Sequence, residues 1–405
     1  MKKKCNICNK KFIDYLSLGN HPCADTFLKS KLNAKQLKKY PLIVGYCKCS
    51  HLTSIFPVPK RERYEKYDYS YTSDNSVVSR SHFKTIAKKI CKDFKINKKS
   101  FIIEAGSNDG TFLKEIKKIS NSKILGVDPS KNISFLAKRK KINTMINYFN
   151  FKIAKKIKIK YGTADLIYGA NVFNHVDDNI DFLKGAHLLL KKNGVLILEV
   201  PDLKSLINKV GFDTIYHEHR HYYSEKSIYK VLSKEKFKII KIDNIKYMAG
   251  SIRVYAKKST EKLYAFINRD KLSSVKLSEF KNFKKKIFNV IDKIKKFIQL
   301  NISKNKVVYG IGGATKGNTL LNCCNLNDNK IKYILERSKY KINKFTPGSA
   351  IKIIDEKRVK NIEVALILPW NITTHLLNKF SNKNKILYTS IQKVVKKLNE
   401  KKIKK

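Results

Sequence analysis

The stretch IYHEHRHYYSEKS, residues 215–227, holds the densest group of side chains that can move protons. Its ionisable members are His217, Glu218, His219 and His221, and tyrosines flank them. A histidine beside a carboxylate can be tuned to titrate near neutral pH, and a tyrosine hydroxyl can donate to a developing oxyanion. We interpret this stretch as a loop for general acid–base catalysis. A catalytic zinc site and a polar surface loop are the less favoured alternatives.

A second polar group follows an apolar run in FIIEAGSNDGTFLKEI, residues 101–116. The run predicts a strand that turns directly into a helix, and glycine lets such a turn approach a ligand closely. The turn residues that could hold a cofactor are Glu104, Gly106, Asn108, Asp109 and Gly110. Their spacing differs from the dinucleotide fingerprint G-x-G-x-x-G and resembles the S-adenosylmethionine loop of class I methyltransferases. The alternative is an ordinary strand–helix turn.

Two later strand ends supply further cofactor candidates. Asp128 ends the run ILGVD, where a carboxylate can accept both hydroxyls of a ribose. Asn171 and His175 follow the run ADLIYGA, at the strand end where open α/β sheets bind ligands. A histidine at such a position also suits helix capping or packing, so His175 alone does not define a site.

The segment GIGGATKGN, residues 310–318, again follows an apolar run and precedes a predicted helix. Backbone N–H groups at a helix N-terminus favour phosphate, and Lys316 lies beside the glycines. The order of residues is not that of a Walker A loop. We predict an anchor for a nucleotide diphosphate, with a purely structural turn as the alternative.

Eight cysteines include two close pairs near the N-terminus, Cys5–Cys8 and Cys47–Cys49. Zinc prefers four tetrahedral soft ligands, and two close pairs supply them. The second pair has one intervening residue where two are usual, so His51 or Cys23 could replace one ligand. We predict a structural zinc site, with unrelated free thiols as the alternative.

These candidate groups require elements that position them, and the chain alternates short apolar runs with helical segments from about residue 80. The pattern predicts an α/β protein with doubly wound, mainly parallel sheets. We expect a zinc knuckle at 1–75, a Rossmann-like domain at 76–260 and a second Rossmann-like α/β domain at 261–405, which begins with a long helical stretch. The tyrosine-rich segment 64–76 predicts a loop or an edge strand.

The charge is unusual, with 87 lysines and arginines against 32 aspartates and glutamates and a net charge of +55. The lysines are spread along the chain, and arginine, which nucleic-acid contacts favour, accounts for only nine of the 87. We therefore expect a lysine-biased surface and no nucleic-acid partner. No apolar run reaches the roughly 18 residues of a membrane helix, and the N-terminus lacks a secretory signal. These features predict a cytoplasmic protein without a membrane partner.

Taken together, these motifs resemble the sugar C-methyltransferases of deoxysugar biosynthesis. The resemblance runs over nearly the whole chain and is most specific at FDTIYHEHRHYYS, ATKGNTLLN and LPWN. It implies a transferase that uses S-adenosylmethionine to methylate C3 of a nucleotide-diphosphate 4-keto-6-deoxyhexose. It also implies a central class I methyltransferase domain, C-terminal contacts to the substrate nucleotide, and structural zinc.

The resemblance assigns roles residue by residue. His219 matches the general base, and Glu218, Tyr216 and Tyr71 match its catalytic neighbours. The substrate contacts implied are Tyr71, Tyr216, His217, Lys316 and Asn318. The cofactor contacts implied are Glu104, Gly106, Asn108, Asp109, Gly110, Asp128, Asn171 and His175. The zinc ligands implied are Cys5, Cys8, Cys47 and Cys49.

Two departures from the family pattern bear on these expectations. Ala249 stands where a glycine is usual, and alanine is acceptable there unless its φ is positive. Glu336 replaces the usual aspartate after the run KIKYIL. Two further functions remain as alternatives: a relative that uses the fold to bind or epimerise nucleotide sugars, and a basic RNA-associated methyltransferase.

Overall fold

The computed structural model describes residues 2–74, 76–259, 268–380 and 386–403, which form three β-sheets covered by helices. The strands are β1 Asp14–His21, β2 Tyr40–Cys47, β3 His51–Ser54, β4 Phe101–Ala105, β5 Lys123–Asp128, β6 Thr144–Ile146, β7 Ala164–Ala170, β8 Leu190–Pro201, β9 His221–Tyr223, β10 Phe237–Ile245, β11 Ser251–Lys258, β12 Val308–Ile311, β13 Ile334–Glu336, β14 Ile353–Asp355, β15 Val364–Ile367 and β16 Leu387–Thr389.

Helices cover these sheets. They are α1 Lys31–Lys35, α2 Val77–Asp93, α3 Thr111–Ser120, α4 Lys131–Arg139, α5 Phe151–Tyr161, α6 Asn179–Leu189, α7 Leu203–Asn208, α8 Glu225–Lys234, α9 Leu277–Ile302, α10 Thr315–Cys323, α11 Thr373–Phe380 and α12 Ile391–Ile403. Single 3-10 turns lie at Phe212–Thr214, Tyr247–Ala249, Arg269–Lys271, Glu356–Arg358 and Trp370–Ile372, and a π-helical turn at Arg61–Glu65.

The central sheet has seven strands in the order β10-β11-β8-β7-β4-β5-β6. Strands β4 to β8 pair in parallel, whereas β11 is antiparallel to both of its neighbours. All five residues of β4 are buried, as expected for a parallel strand covered on both faces. Because β4 pairs with β5 on one side and β7 on the other, the carboxyl end of β4 lies at the switch point where such sheets bind ligands.

The C-terminal sheet has five parallel strands in the order β14-β13-β12-β15-β16. Its own switch point is at β12, which is followed by the glycine-rich segment and α10. The mainly parallel central sheet and the parallel C-terminal sheet confirm the predicted α/β class with Rossmann-like sheets. The helical stretch expected at about 260–303 is shorter in the structure. Helix α9 covers Leu277–Ile302, residues 268–276 contain only the 3-10 turn Arg269–Lys271, and residues 260–267 lie outside the described ranges.

The N-terminal sheet is antiparallel, and its order is β1-β2-β3-β9. Its last strand, β9, comes from the histidine-rich stretch, and Thr53 of β3 pairs with His221 of β9. The N-terminal segment is thereby built onto the stretch that carries His219. The tyrosine-rich segment runs as a loop after the π-helical turn that contains Tyr64, in agreement with the loop that its composition indicates.

Candidate active site

The stretch 215–220, called the histidine loop below, is a largely buried loop between the 3-10 turn Phe212–Thr214 and β9. Its sequence HEHRH, residues 217–221, has the H-E-x-x-H spacing of zinc proteases, which brings two histidines together only on a helix. Here His217 faces the backbone oxygen of His21 at 3.0 Å, whereas His221 contacts Thr53 and stacks on His51. The two imidazoles therefore do not converge on one site.

His219 is held in one tautomer. Its Nδ1 lies 2.8 Å from the backbone oxygen of Thr214, which can only accept, so Nδ1 carries the proton. Its Nε2 therefore presents a lone pair, and the hydroxyl of Tyr216 donates to it over 2.7 Å. Burial lowers the pKa of His219 to about 3, so the ring is neutral at physiological pH. This combination supplies an unprotonated imidazole nitrogen at the cavity wall.

His175 lies against His219, with ring centroids 4.7 Å apart. The Tyr64 hydroxyl donates to the backbone oxygen of Glu218 over 3.0 Å and therefore accepts from Nδ1 of His175, 2.9 Å away. Burial, with the neighbouring His219 as the next cause, holds the pKa of His175 well below its usual range. His175, predicted to line the cofactor site, therefore lies on the cavity wall directly beside His219.

Two residues of the histidine loop face away from the cavity. The Glu218 carboxylate accepts from the backbone N–H groups of Asp25 and Ala24 at 2.9 and 3.3 Å. Burial raises the pKa of Glu218 to about 7, and the nearby Asp25 charge adds to this shift. His217 packs edge-on against Tyr40 of β2, and neither Glu218 nor His217 is part of the described cavity wall. The structure therefore gives these two side chains supporting contacts instead of the direct ones that the sequence suggested.

The turn at residues 106–110, predicted to hold the cofactor and called the cofactor loop below, directly follows β4. Its geometry is set by tight packing. Gly106 has φ +68°, and an added Cβ would lie 2.8 Å from the side chain of Val172. The backbone N–H of Asn108 donates to Asp128 over 2.9 Å, which joins the ends of β4 and β5. The Asn108 amide also accepts from the backbone N–H of Ser73 at 2.8 Å and so ties the tyrosine-rich segment to this loop.

The remaining predicted cofactor residues divide into those on the cavity wall and those behind it. Gly106, Asn108, Asp109, Asp128, Asn171 and His175 line the cavity. Glu104 is buried behind the loop, and one of its oxygens, Oε2, has no hydrogen-bond partner among the described residues. Burial holds the pKa of Glu104 well above its usual range, followed by the charges of Asp109 and Asp128. Gly110 caps α3 at φ +75° and packs on Ile142.

The C-terminal domain brings Lys316, the first-turn lysine of α10, into the same cavity. Its ammonium lies 4.3 Å from the ring centroid of Trp370, and burial lowers the pKa of Lys316 to about 8. The Trp370 indole N–H donates to the buried carboxylate of Asp213 over 2.8 Å. Burial raises the pKa of Asp213 to about 6. Three family motifs, FDTIYHEH, ATKGN and LPWN, thus meet at one contact.

Two C-terminal expectations change with the structure. Asn318, predicted to contact substrate, is buried and donates to the backbone oxygen of Ala24 over 2.7 Å, so it lies behind the cavity wall. Glu336 accepts from the backbone N–H of Gly313 at 2.6 Å and from those of Arg337 and Ser338. One N–H of the glycine-rich segment is therefore used within the protein. The family departure at Ala249 is also strained, because its φ is +71°.

The cavity has a volume of about 1280 Å³ and is lined by His219, Tyr216, Lys316 and most of the predicted cofactor residues. It runs from the cofactor loop past His219 and Tyr216 to the first turn of α10. Tyr71 also lines the cavity, with its hydroxyl 3.4 Å from that of Tyr247. A space of this size is large enough for two ligands of nucleotide size in contact.

The four cysteines predicted to bind metal form one cluster. The Sγ atoms of Cys5, Cys8, Cys47 and Cys49 all lie within 4.8 Å of one another. Sulfurs bound tetrahedrally to zinc at about 2.3 Å would lie about 3.8 Å apart, and Cys5 and Cys49 are 3.7 Å apart. Cys23 belongs to a separate apolar cluster, and His51 Nδ1 lies 3.5 Å from Cys5 as an outer contact. Both cysteines of the closely spaced second pair, Cys47 and Cys49, therefore belong to the cluster.

Several residues of the site escaped the sequence interpretation. Asp25, Ser70 and Thr315 form a hydrogen-bonded group at the cavity wall. Ser70 and Thr315 lie inside segments that the sequence already singles out, but nothing in the local sequence marks Asp25. The sequence does carry signals for two other missed residues, Asp213 and Trp370. Asp213 precedes Tyr216 in the most specific motif, and Trp370 is the only tryptophan of the chain.

None of the described helices is both long enough and apolar enough to cross a membrane. Comparison with known proteins gives two domain matches. Residues 80–242 match the family described as a methyltransferase domain, and residues 246–387 match the family described as the C-methyltransferase C-terminal domain. The first match and the strand order of the central sheet together confirm a class I methyltransferase fold.

The chain is also 25% identical over 386 residues to the C-methyltransferase NovU of Streptomyces niveus, covering 93% of this chain and 91% of that protein. Among solved structures, magnesium protoporphyrin IX methyltransferase from Synechocystis PCC 6803 with bound SAM is 14% identical, with a TM-score of 0.35 over 44% of this chain and 79% of that chain. The PH0226 protein from Pyrococcus horikoshii OT3 is 15% identical, with a TM-score of 0.39 over 47% of this chain and 95% of that chain.

Proposed function

We propose that the chain, which is a C-methyltransferase, uses S-adenosylmethionine to methylate C3 of a nucleotide-diphosphate 4-keto-6-deoxyhexose. The observation that carries the proposal is the state of His219. Its Nε2 is unprotonated at the cavity wall, because Nδ1 donates to the backbone oxygen of Thr214. Carbon methylation next to a ketone needs such a base, since the carbon becomes nucleophilic only when its proton is removed.

In the proposed reaction, Nε2 of His219 takes the C3 proton, and the electrons of the C–H bond pass into an enolate whose oxygen is the former C4 carbonyl. The Tyr216 hydroxyl now donates to Nε2 at 2.7 Å, so binding of the substrate must displace it. The displaced hydroxyl is then free to donate to the enolate oxygen, which stabilises developing negative charge. The buried site opposes an isolated imidazolium, but an adjacent enolate favours the charged ring and raises its pKa.

The residues at the carboxyl ends of β4, β5 and β7 fit S-adenosylmethionine. Gly106 lines the cavity at φ +68°, and an added Cβ would collide with Val172, so this turn requires glycine. Asp128 lines the cavity, and its carboxylate keeps lone pairs for ribose hydroxyls. Glu104, with a buried oxygen that has no partner among the described residues, supports this end of the site. When bound, S-adenosylmethionine supplies the methyl group to the nucleophilic carbon.

We assign the diphosphate of the substrate to the first turn of α10. The leading N–H groups of a helix have no intrahelical acceptor and favour anions. Lys316 adds a cation in the cavity beside them, and Arg337 and Lys339 also line this end. Because Glu336 occupies the N–H of Gly313, the later amides of the turn and Lys316 would carry the contact.

We further propose that the four-cysteine cluster holds zinc in a structural role. The four thiols suit a tetrahedral ion and would fill its coordination shell, which leaves no open position for a catalytic water or a substrate. Zinc would fix the loop before β3. Strand β3 pairs with β9, which begins two residues after His219.

A direct test incubates the enzyme with S-adenosylmethionine and a panel of nucleotide-diphosphate 4-keto-6-deoxyhexoses, with mass detection of a one-methylene gain. A gain on at least one member, with the new methyl group at C3 by NMR, supports the proposal. A parallel incubation in D₂O without S-adenosylmethionine measures deuterium uptake at C3. Uptake or epimerisation without any methylated product would favour the nucleotide-sugar-binding or epimerising alternative instead.

A further inference from the structure

Asp25 lies at a buried junction between the N-terminal segment and the cavity wall, and it is 5% exposed. Its carboxylate accepts three hydrogen bonds: the backbone N–H and the hydroxyl of Ser70 donate at 2.7 Å each, and the Thr315 hydroxyl donates at 2.6 Å. A carboxylate has about four acceptor positions, so this one is nearly saturated. Oriented donors compensate the charge, and no cation of the described residues pairs directly with this carboxylate.

The backbone beside this carboxylate makes a second set of contacts. The N–H groups of Asp25 and Ala24 donate to the carboxylate of Glu218, and the oxygen of Ala24 accepts from Asn318. Residues 24–25 are thus hydrogen-bonded at once to the histidine loop, the tyrosine-rich segment and α10.

Each of these three partners carries a neighbour that lines the cavity. Glu218 precedes His219, Ser70 precedes Tyr71, and Thr315 precedes Lys316. A shift of the Asp25 junction would therefore change the distances among the proposed base His219, Tyr71 and the proposed diphosphate-binding Lys316. Active-site groups are held in register by supporting hydrogen bonds of this kind, and a displacement of about 1 Å can cost about 100-fold in rate.

We infer that Asp25 is a positioning residue that keeps the catalytic loop of the methyltransferase domain in register with the substrate-binding helix of the C-terminal domain. The inference rests on the proposed function. It adds to that function a determinant outside both domains, in the N-terminal segment. Asp25 does not line the cavity and acts through Glu218, Ser70 and Thr315.

The test compares Asp25→Asn with Thr315→Val and the double variant. Asparagine has one acceptor oxygen in place of two and turns an N–H₂ toward the donors. We expect kcat to fall by about 10- to 100-fold in Asp25→Asn, while binding of S-adenosylhomocysteine by calorimetry stays within about twofold of wild type. Because both substitutions break the same junction, the double variant is expected to lose little more than Asp25→Asn alone.

Asp14→Asn is the matched control, since Asp14 is also an N-terminal carboxylate but pairs with Lys284 at 2.7 Å, away from the cavity. An Asp25→Asn enzyme as active as Asp14→Asn would overturn the inference while leaving the proposed function intact. Equal losses of kcat and of cofactor binding would also overturn it, because they would indicate general unfolding.

Hydrogen–deuterium exchange provides a second measurement of the junction that does not require enzyme activity. In Asp25→Asn we expect faster exchange both at 213–220 and at 311–320, with no change at 101–116. If wild type proves inactive on every sugar nucleotide, the proposed function fails but this coupled exchange still reports the junction. Unchanged exchange at 213–220 or at 311–320 would contradict the inference.

Discussion

Asp213 and Trp370 allow the contact between the two large domains to be read with one fluorophore. Trp370 is the only tryptophan, and its indole N–H donates to Asp213 over 2.8 Å in a fully buried setting. Because burial raises the pKa of Asp213 to about 6, we expect the emission of wild type to change with a midpoint near that pH. Asp213→Asn cannot ionise and should abolish the step.

The same residue makes a defined contribution to stability. Its folded pKa lies above its unfolded value, so protonation favours the folded state. That stability is fully present below about pH 4 and is lost as the pH rises through about 6. At about 1.36 kcal/mol per pKa unit, the loss is about 3 kcal/mol in total and about 1.4 kcal/mol between about pH 5 and pH 7.5. The free energy of unfolding of Asp213→Asn relative to wild type should rise by about this amount over the same interval.

The assay is tryptophan emission across the pH range, followed by denaturant titration at the two pH values with the same signal. Asp165→Asn is the control, since Asp165 is a carboxylate paired with Lys191 elsewhere on the central sheet. It should keep the emission step. A step near pH 6 that persists in Asp213→Asn, or stability differences that stay constant with pH, would refute the reasoning.

Four further outcomes follow from the site. Lys316→Met should remove a second emission step near pH 8, where the Lys316 pKa lies, and raise KM for the sugar nucleotide more than it lowers kcat. Tyr216→Phe should lower kcat by about 100-fold with cofactor binding retained, because it removes the proposed oxyanion donor. Cys49→Ser should lose bound zinc by metal analysis, whereas Cys23→Ser, in a separate apolar cluster, should keep it. Ala249→Gly should stabilise the protein by about 0.5–1 kcal/mol in thermal unfolding, because it relieves the positive φ.

Local sequence predicted the elements that carry the site. The apolar runs before EAGSNDG and GIGGATKGN became β4 and β12, because a parallel strand covered on both faces is mainly apolar; Glu104 is the exception in β4. The turns after them reach the cavity, since the carboxyl ends of parallel strands open at the switch point. Short-range periodicity was therefore enough for the cofactor loop.

The direction of individual side chains could not be read from the sequence. Glu218 and His219 are adjacent, yet one faces the backbone of residues 24–25 and the other faces the cavity. That choice depends on pairing between β3 and β9, which are far apart in the chain. Asp25 was missed for the same reason, because its three donors come from distant segments.

The central claim is that His219 is the base. The most direct test measures the rate of methyl transfer by His219→Ala and, on the same variant, its affinity for S-adenosylhomocysteine. Loss of a positioned base costs about 100- to 10,000-fold in rate. We therefore predict that methyl transfer and C3 deuterium uptake in D₂O both fall by at least about 100-fold, with cofactor affinity unchanged, because His219 belongs to the histidine loop and not to the turn after β4. Wild-type rates of methyl transfer and deuterium uptake in His219→Ala would contradict the account.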